Sequence, residues 1–422
     1  MYVASGITRA AADTLAAVPS AQGSAPAVPA FSPELSYILL LFALFVVPRY
    51  LQRYRLPSAV TSIALGALAG MGFALFTQDA TVDLLATLGI VALFLFAGLD
   101  VEFAELRREA PVLAQHVVVR VVTLVGVAYG LGVLLGLPVR PAILVALALL
   151  TPSAGFILDS VAGWGLGERE IFWVKSKAIA SELVALGALF VTLQSETLAQ
   201  FAVATLVLGA LIAVLPLVFR VFAARIVPHA PKSEFAFLLM VAVIAAFATR
   251  RLGVYYLVGA FVVGVTAQRF RERLPALASE QMLHAVEVFA SFFVPFYFFR
   301  AGLHLRRADF GVDAVVVGVA FLGLLLPLRF ALVALHRRVA LGERLAQGLR
   351  VSVPLLPTLV FTLVIAEILR DRYGVPRAVF GGLILYTLVN TLIPGFTLRV
   401  PLPSYEEPRV PALEIEGPVD PG

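Results

Sequence analysis

Apolar runs of about membrane-crossing length recur along the chain from residue 34 onward, each closed by a short polar or charged interruption. A bilayer core about 30 Å thick takes roughly 20 helical residues. On that measure the pattern divides into thirteen segments, at 34–49, 57–76, 83–100, 111–135, 140–163, 171–193, 198–222, 234–250, 252–268, 282–304, 312–335, 345–369 and 375–397. The expectation is an all-α polytopic membrane protein with about 13 transmembrane helices. Only Arg250, Arg251 and Leu252 part the segments at 234–250 and 252–268, so one long bent helix and twelve spans is the alternative. Composition agrees with the class. The 422 residues are 60% hydrophobic and 14% charged, with a mean hydropathy of +0.96, against ~45–50% apolar and ~25% charged for a soluble domain.

Residues 1–33 lack a continuous apolar core, are rich in Ala, Pro and Ser, and read as a disordered N-terminal extension. The segment 399–422 is Pro-rich and acidic and reads as a short cytosolic tail. Lys and Arg concentrate in the loops after odd-numbered spans, among them Arg49, Arg53, Arg107, Arg169, Arg225, Arg269 and Arg337. The positive-inside rule then puts the N-terminus outside and the C-terminus in the cytosol. The net charge of +5 is spread over these loops, which argues against a nucleic-acid partner. There is no Cys, and the five His, at 116, 229, 284, 304 and 336, form no i,i+4 pair. Thiol chemistry and the usual metal-ligand spacings are therefore excluded, no cofactor is called for, and the chain does not read as an enzyme.

Two helices carry breaks. LLTPSAGFILDS places Thr151-Pro152 near the middle of the fifth segment, and LRVSVPLLPTLVF places Pro354 and Pro357-Thr358 at similar depth in the twelfth. Proline removes a backbone donor and turns the preceding residue away from helical geometry. Interrupted helices at corresponding places in two halves point to an ion site at the midplane, where half-helix ends present partial charges. Seven segments part the breaks, so the two helices run in opposite directions, as an inverted repeat of spans 2–6 and 9–13 requires. Ala97-Gly98-Leu99 and Ala301-Gly302-Leu303 echo each other at the same offset.

Charge inside the membrane narrows the site. Glu182 stands about 15 Å into the sixth segment, and a carboxylate at that depth defaults to a pathway, relay or ion-pair role. Ser181, Thr151, Thr358 and the carbonyls freed around Pro152, Pro354 and Pro357 are candidate oxygen ligands, and Asp159 is a weaker second acid. Arg329 is the candidate electrostatic partner of Glu182, and Arg300 the counterpart nearer the outer side. Arg120 and His116 read as interhelical hydrogen-bond or lipid-interface groups.

Several stretches resemble the monovalent cation:proton antiporter superfamily, in its bacterial-type sodium/proton exchanger branch. They are RLPSAVTSIALGALAGMG (55–72), FLFAGLDVEFAELRR (94–108), VYYLVGAFVVGVTAQRF (254–270), FVPFYFFRAGLHL (293–305) and PLRFALVAL (327–335). The resemblance implies a sodium/proton antiporter-like fold with two crossed, discontinuous helices in an exchanger domain at 34–398. Scaffold spans would lie at 34–100 and 234–304, core spans at 111–193 and 312–397, and a linker helix at 198–222. It also implies exchange of H⁺ for Na⁺ or K⁺, electroneutral and by an elevator motion, in a homodimer of a bacterial cytoplasmic membrane. Ser181-Glu182 fall where the family carries Asp-Asp or Asn-Asp, and Arg329 where it carries Lys or Arg. The divergent pair favours an alternative, a membrane sensor or assembly protein that keeps the exchanger fold without transporting.

Overall fold

The computed structural model describes residues 32–101, 110–154, 157, 165–230, 233–251, 256–270 and 280–398. Asp159, residues 1–31 of the expected extension and the whole expected tail at 399–422 lie outside them. The chain divides into two units, Met1–Phe42 and Ala43–Gly422; apart from the first residues of the opening helix, the features below lie in the second.

All regular structure among the described residues is helical: α1 (Pro33–Gln52), α2 (Ser58–Ala67), α3 (Ala80–Leu99), α4 (Ala110–Leu135), α5 (Val139–Leu150), α6 (Glu168–Gln194), α7 (Leu198–Arg225), α8 (Glu234–Arg251), α9 (Tyr256–Phe270), α10 (Glu280–Leu303), α11 (Val312–Leu341), α12 (Leu345–Ser352), α13 (Leu359–Tyr373) and α14 (Arg377–Thr397). Local chemistry sets many of their ends. The Asp79 carboxylate accepts from the Thr81 and Val82 amides at the start of α3, and the Thr197 hydroxyl accepts from the Gln200 amide at the start of α7, each satisfying donors a helix leaves free. Gly342 and Gly374 close α11 and α13 in the left-handed conformation that favours glycine.

The expectation of thirteen transmembrane helices is overturned. Among the described residues, eight helices are long and apolar enough to cross a membrane, or nine if the bent pair Leu345–Leu355 and Leu359–Tyr373 counts as one span. Helices stop before the apolar runs do. Ser58–Gly72, Val139–Leu150 and Leu257–Arg269 are shorter apolar helices; the 12 residues of α5 rise only about 18 Å, well short of a 30 Å core. α8 carries Glu234, Arg250 and Arg251 at its ends. The repeat pairing of spans 2–6 with 9–13 was counted on thirteen spans and falls with that count. The alternative of one long helix over 234–268 fails too, because α8 and α9 pack side by side: a Cβ on Gly259 would lie 2.3 Å from the Ala245 carbonyl oxygen.

The most extensive packing falls into two groups. In one, α3 lies against α9 and α10, α2 against α10, and α8 against α9. In the other, α11 lies against α14, α4 against α5 and α6, and α13 against α5 and α14, while α7 touches α9 on one side and α6 on the other. Gly98 and Gly302, the centres of the echoed triplets, are both crossing points within the first group. A Cβ on Gly302 would stand 2.2 Å from the Ile63 carbonyl oxygen, and one on Gly98 would stand 2.4 Å from that of Phe261. In membranes, small residues let helix backbones meet closely. Gly302→Val should therefore force α2 and α10 apart and cost about 1–3 kcal/mol, read as earlier thermal unfolding in detergent, whereas Gly209→Ala, at a site with open space around the Cβ, should leave that temperature unchanged or raised.

A candidate ion site at the crossing of two broken helices

α5 ends at Leu150 because Pro152 follows: Thr151 is turned to φ −77°, ψ 112°, the extended geometry expected before proline. α12 tightens into a 3₁₀ turn at Val353–Leu355, which contains Pro354. The chain then bends by 56° before α13, through Pro357 and Thr358. The two breaks meet. The Ser153 amide donates to the Pro357 carbonyl at 2.8 Å, the Val360 amide donates to the Ser153 hydroxyl at 3.0 Å, and the Thr362 hydroxyl donates to the Ala148 carbonyl at 2.8 Å.

A helix leaves its last carbonyls without intrahelical donors, and at this depth they must find protein partners. Two arginines supply them. Arg329 Nη1 donates to the carbonyls of Leu356 (2.8 Å) and Leu149 (3.4 Å) and to the Tyr386 hydroxyl (3.0 Å), while its Nη2 donates to the Leu355 carbonyl. Tyr386 passes its own proton to Leu149 at 3.0 Å. Arg120 Nη1 donates to the Leu150 carbonyl at 3.0 Å, and Nη2 donates to the Thr151 hydroxyl at 2.6 Å. Arg329 thus ties the end of α5 to the end of the α12 turn. The partial negative charge of each helix end favours a cation there.

Glu182 is 3% exposed. It borders a cavity of about 10 Å³ together with Phe94, Ala97, Ser153 and Phe361, room for one water-sized group. Among the described residues no hydrogen bond or ion pair to its carboxylate is found. Leu93 and Val360 border this cavity and also a larger one of about 520 Å³, which Phe45, Arg49, Ser62, Glu287 and Phe298 help to line.

Asp159 lies outside the described residues; those expected site residues that are described and named below stand apart from the Glu182 carboxylate. Successive helical residues point about 100° apart, and Ser181 lines a different cavity, with Arg120, Pro152, Lys177 and Arg329. The Thr151 hydroxyl is engaged by Arg120 and the Leu147 carbonyl, and that of Thr358 by Thr362, Thr387 and Asn390. Arg300 sits at the far end of α10, where it pairs with Asp83 at 2.5 Å and Glu367 at 3.5 Å; His304 also faces Glu367 at 3.4 Å. His116 is not a lipid-interface group: it is 1% exposed and packs edge-on to Trp173 with ring centroids 4.6 Å apart. The sequence reading missed Ser153, Thr362, Tyr386 and Asn390. Only Ser153 had a local signal, its place directly after Thr151-Pro152.

Residues 39–403 match the family described as sodium/hydrogen exchanger, transmembrane. The chain belongs to that family. This exchanger is a multi-pass membrane protein and a secondary antiporter, moving H⁺ against a monovalent cation. Two solved structures of the sodium proton antiporter MjNhaP1 from Methanocaldococcus jannaschii share its fold. The one at pH 8 is 13% identical with a TM-score of 0.60, covering 87% of this chain and 94% of that one. The other, an electron-microscopy map, is 15% identical with a TM-score of 0.60, covering 86% and 94%. At such identities the likeness is one of fold. A search of the curated proteins gives no match.

Proposed function

We propose that Glu182 is the group that carries proton and cation in turn, and that the exchange is electroneutral, one H⁺ for one Na⁺ or K⁺. The observation that carries this reading is the buried carboxylate beside the crossing, which has no partner among the described residues. A charge taken out of water is costly unless it is neutralised, and a proton or a monovalent cation each neutralises one carboxylate. Ser153 supplies a neighbouring hydroxyl oxygen at the same cavity, and Glu182 alone does the work of the family's usual pair, since Ser181 faces another cavity. Cation-driven proton flux in proteoliposomes tests the reading, with Glu182→Gln as the variant.

In this proposal the second packing group (α4–α6 and α11–α14) moves as an elevator against the first (α2, α3 and α8–α10), with α7 as the link and the first group as static scaffold and homodimer interface. The charge bias of the loops makes the Arg49 face cytosolic, and the large cavity there is the inward route to Glu182. The Arg300 face is closed by contacts between the groups: Arg300 and His304 on α10 meet Glu367 on α13, and Arg370 donates to the His304 carbonyl at 3.1 Å.

Because the chain has no cysteine of its own, a single Leu93→Cys reports access cleanly. A membrane-impermeant thiol reagent should label it from the Arg49 face only. Adding Glu367→Gln removes an ion pair worth about 1 kcal/mol, roughly a fivefold shift in population, and should bring measurable labelling from the Arg300 face. Labelling of the single variant from the Arg300 face alone would reverse the assigned access.

A further inference from the structure

The cavity that Ser181 faces is cationic. It measures about 60 Å³ and is lined by Arg120, Lys177 and Arg329 together with Thr123, Ser181 and Ser352, and it has room for a few water-sized groups. Among the described residues no acidic side chain lines it. The two arginines are compensated in part, since each donates to helix-end carbonyls, and a helix C-terminus carries roughly half a negative charge. Lys177 has no such partner. It is half-buried, it forms no ion pair among the described residues, and its ammonium lies 5.0 Å from the centre of the Trp173 ring. The Nε of Arg120, a side chain only 8% exposed, has no hydrogen-bond acceptor among the described residues. Glu343, just beyond the end of α11, is taken by Arg337 in a two-pronged pair at 2.7 and 2.8 Å.

Three cations in one membrane-buried cavity call for a negative charge that the described protein atoms do not provide. We propose that this cavity is a binding site for a small monovalent inorganic anion of the halide class, held between Arg120, Lys177 and Arg329 with the Ser181 hydroxyl beside it. It is separate from the Glu182 cavity, the two residues facing apart on α6, so the anion is a resident ligand of the second packing group and not the exchanged ion. Its charge offsets that of Lys177 and steadies the Arg120 and Arg329 contacts that join the two breaks.

The test is thermal unfolding of the purified full-length protein, titrated with chloride or bromide against gluconate at fixed Na⁺ and ionic strength, and bromide anomalous scattering from crystals. The expected result is saturable stabilisation by either halide, none by gluconate, and a bromide peak in the cavity. Lys177→Met should weaken the apparent halide affinity at least tenfold, and Lys177→Arg should restore it to within a few fold. Lys177→Met should also unfold in gluconate no earlier than the wild type, because an apolar side chain of similar length replaces an uncompensated charge; that separates lost binding from lost folding. Glu182→Gln should keep the halide response in full, so failure of the ion-site proposal leaves this one standing. A wild type without saturable halide dependence, or a halide response unchanged by Lys177→Met, would overturn the proposal. So would halide dependence gained only on Asp159→Asn, which would make Asp159 the missing counter-charge.

Discussion

Glu182→Gln should reduce cation-driven proton flux in proteoliposomes to the level of protein-free vesicles while leaving the protein folded. The substitution keeps the size and planarity of the side chain and removes the one property the proposal needs, a charge that a proton or a cation can cancel. It should not unfold the protein, since the carboxylate makes no hydrogen bond or ion pair among the described residues whose loss would be felt, and burying a neutral amide costs less than burying a charge. Glu182→Asp is the informative companion. It keeps the charge but draws it back by one methylene, so transport should survive with weaker cation affinity. Loss of transport with Gln, retained with Asp, separates the charge requirement from a packing requirement. Equal flux in wild type and Glu182→Gln would exclude the carboxylate from the exchange.

Arg329→Ala should have the largest effect on stability. Its guanidinium serves three carbonyls on two different helices and one tyrosine hydroxyl, all at a depth where water is scarce. A buried polar group left without its partner costs about 1–3 kcal/mol, and Arg329 serves four acceptors; an effect at or above the top of that range is expected, read as unfolding at much lower temperature in detergent. Arg329→Lys should recover only part of it, because a single ammonium cannot reproduce the fork that spans both helix ends. Transport should fall with stability in both, since the crossing that frames the Glu182 cavity depends on this clamp. Arg120→Ala should show the same pattern more weakly: its hydrogen bonds reach only the α5 side of the crossing.

Both helix breaks were legible because proline acts locally. Thr151-Pro152 and Pro357-Thr358 stand near the middle of apolar runs, and each removes a backbone donor there; Pro216 and Pro327, by contrast, are accommodated inside continuous helices. Glu182 was legible by depth alone, as a carboxylate far from either end of an apolar run. Span counting failed because hydropathy measures the distance from charge to charge, whereas a helix such as α5 ends inside its apolar run, where Pro152 follows. The 140–163 run looked long enough to cross, yet α5 stops at Leu150. What could not be read were the partners. Arg329 looked like the electrostatic mate of Glu182 because both lie mid-membrane, but its donors go to Leu149, 180 positions away in the chain, and to the α12 turn. Nothing local distinguishes a carbonyl that will be left free at a crossing from one that will not. The sequence leaves Arg120 between a hydrogen bond and the lipid interface; its donation to the Leu150 carbonyl, 30 positions away, decides between them. Ser181 and Glu182, adjacent in sequence and read as one pair, serve two cavities because the helix turns them apart.

Competition of proton and cation for one carboxylate is measured directly by calorimetric titration of cation binding in buffers of different ionisation enthalpy. Cation binding to a protonated carboxylate must release its proton. Wild-type protein should release one H⁺ per cation bound under conditions where Glu182 starts protonated, its apparent affinity should fall as the pH is lowered, and Glu182→Gln should neither bind the cation at this site nor release the proton. Cation binding by the wild type with no proton release at any pH, or the same release from Glu182→Gln, would contradict that competition.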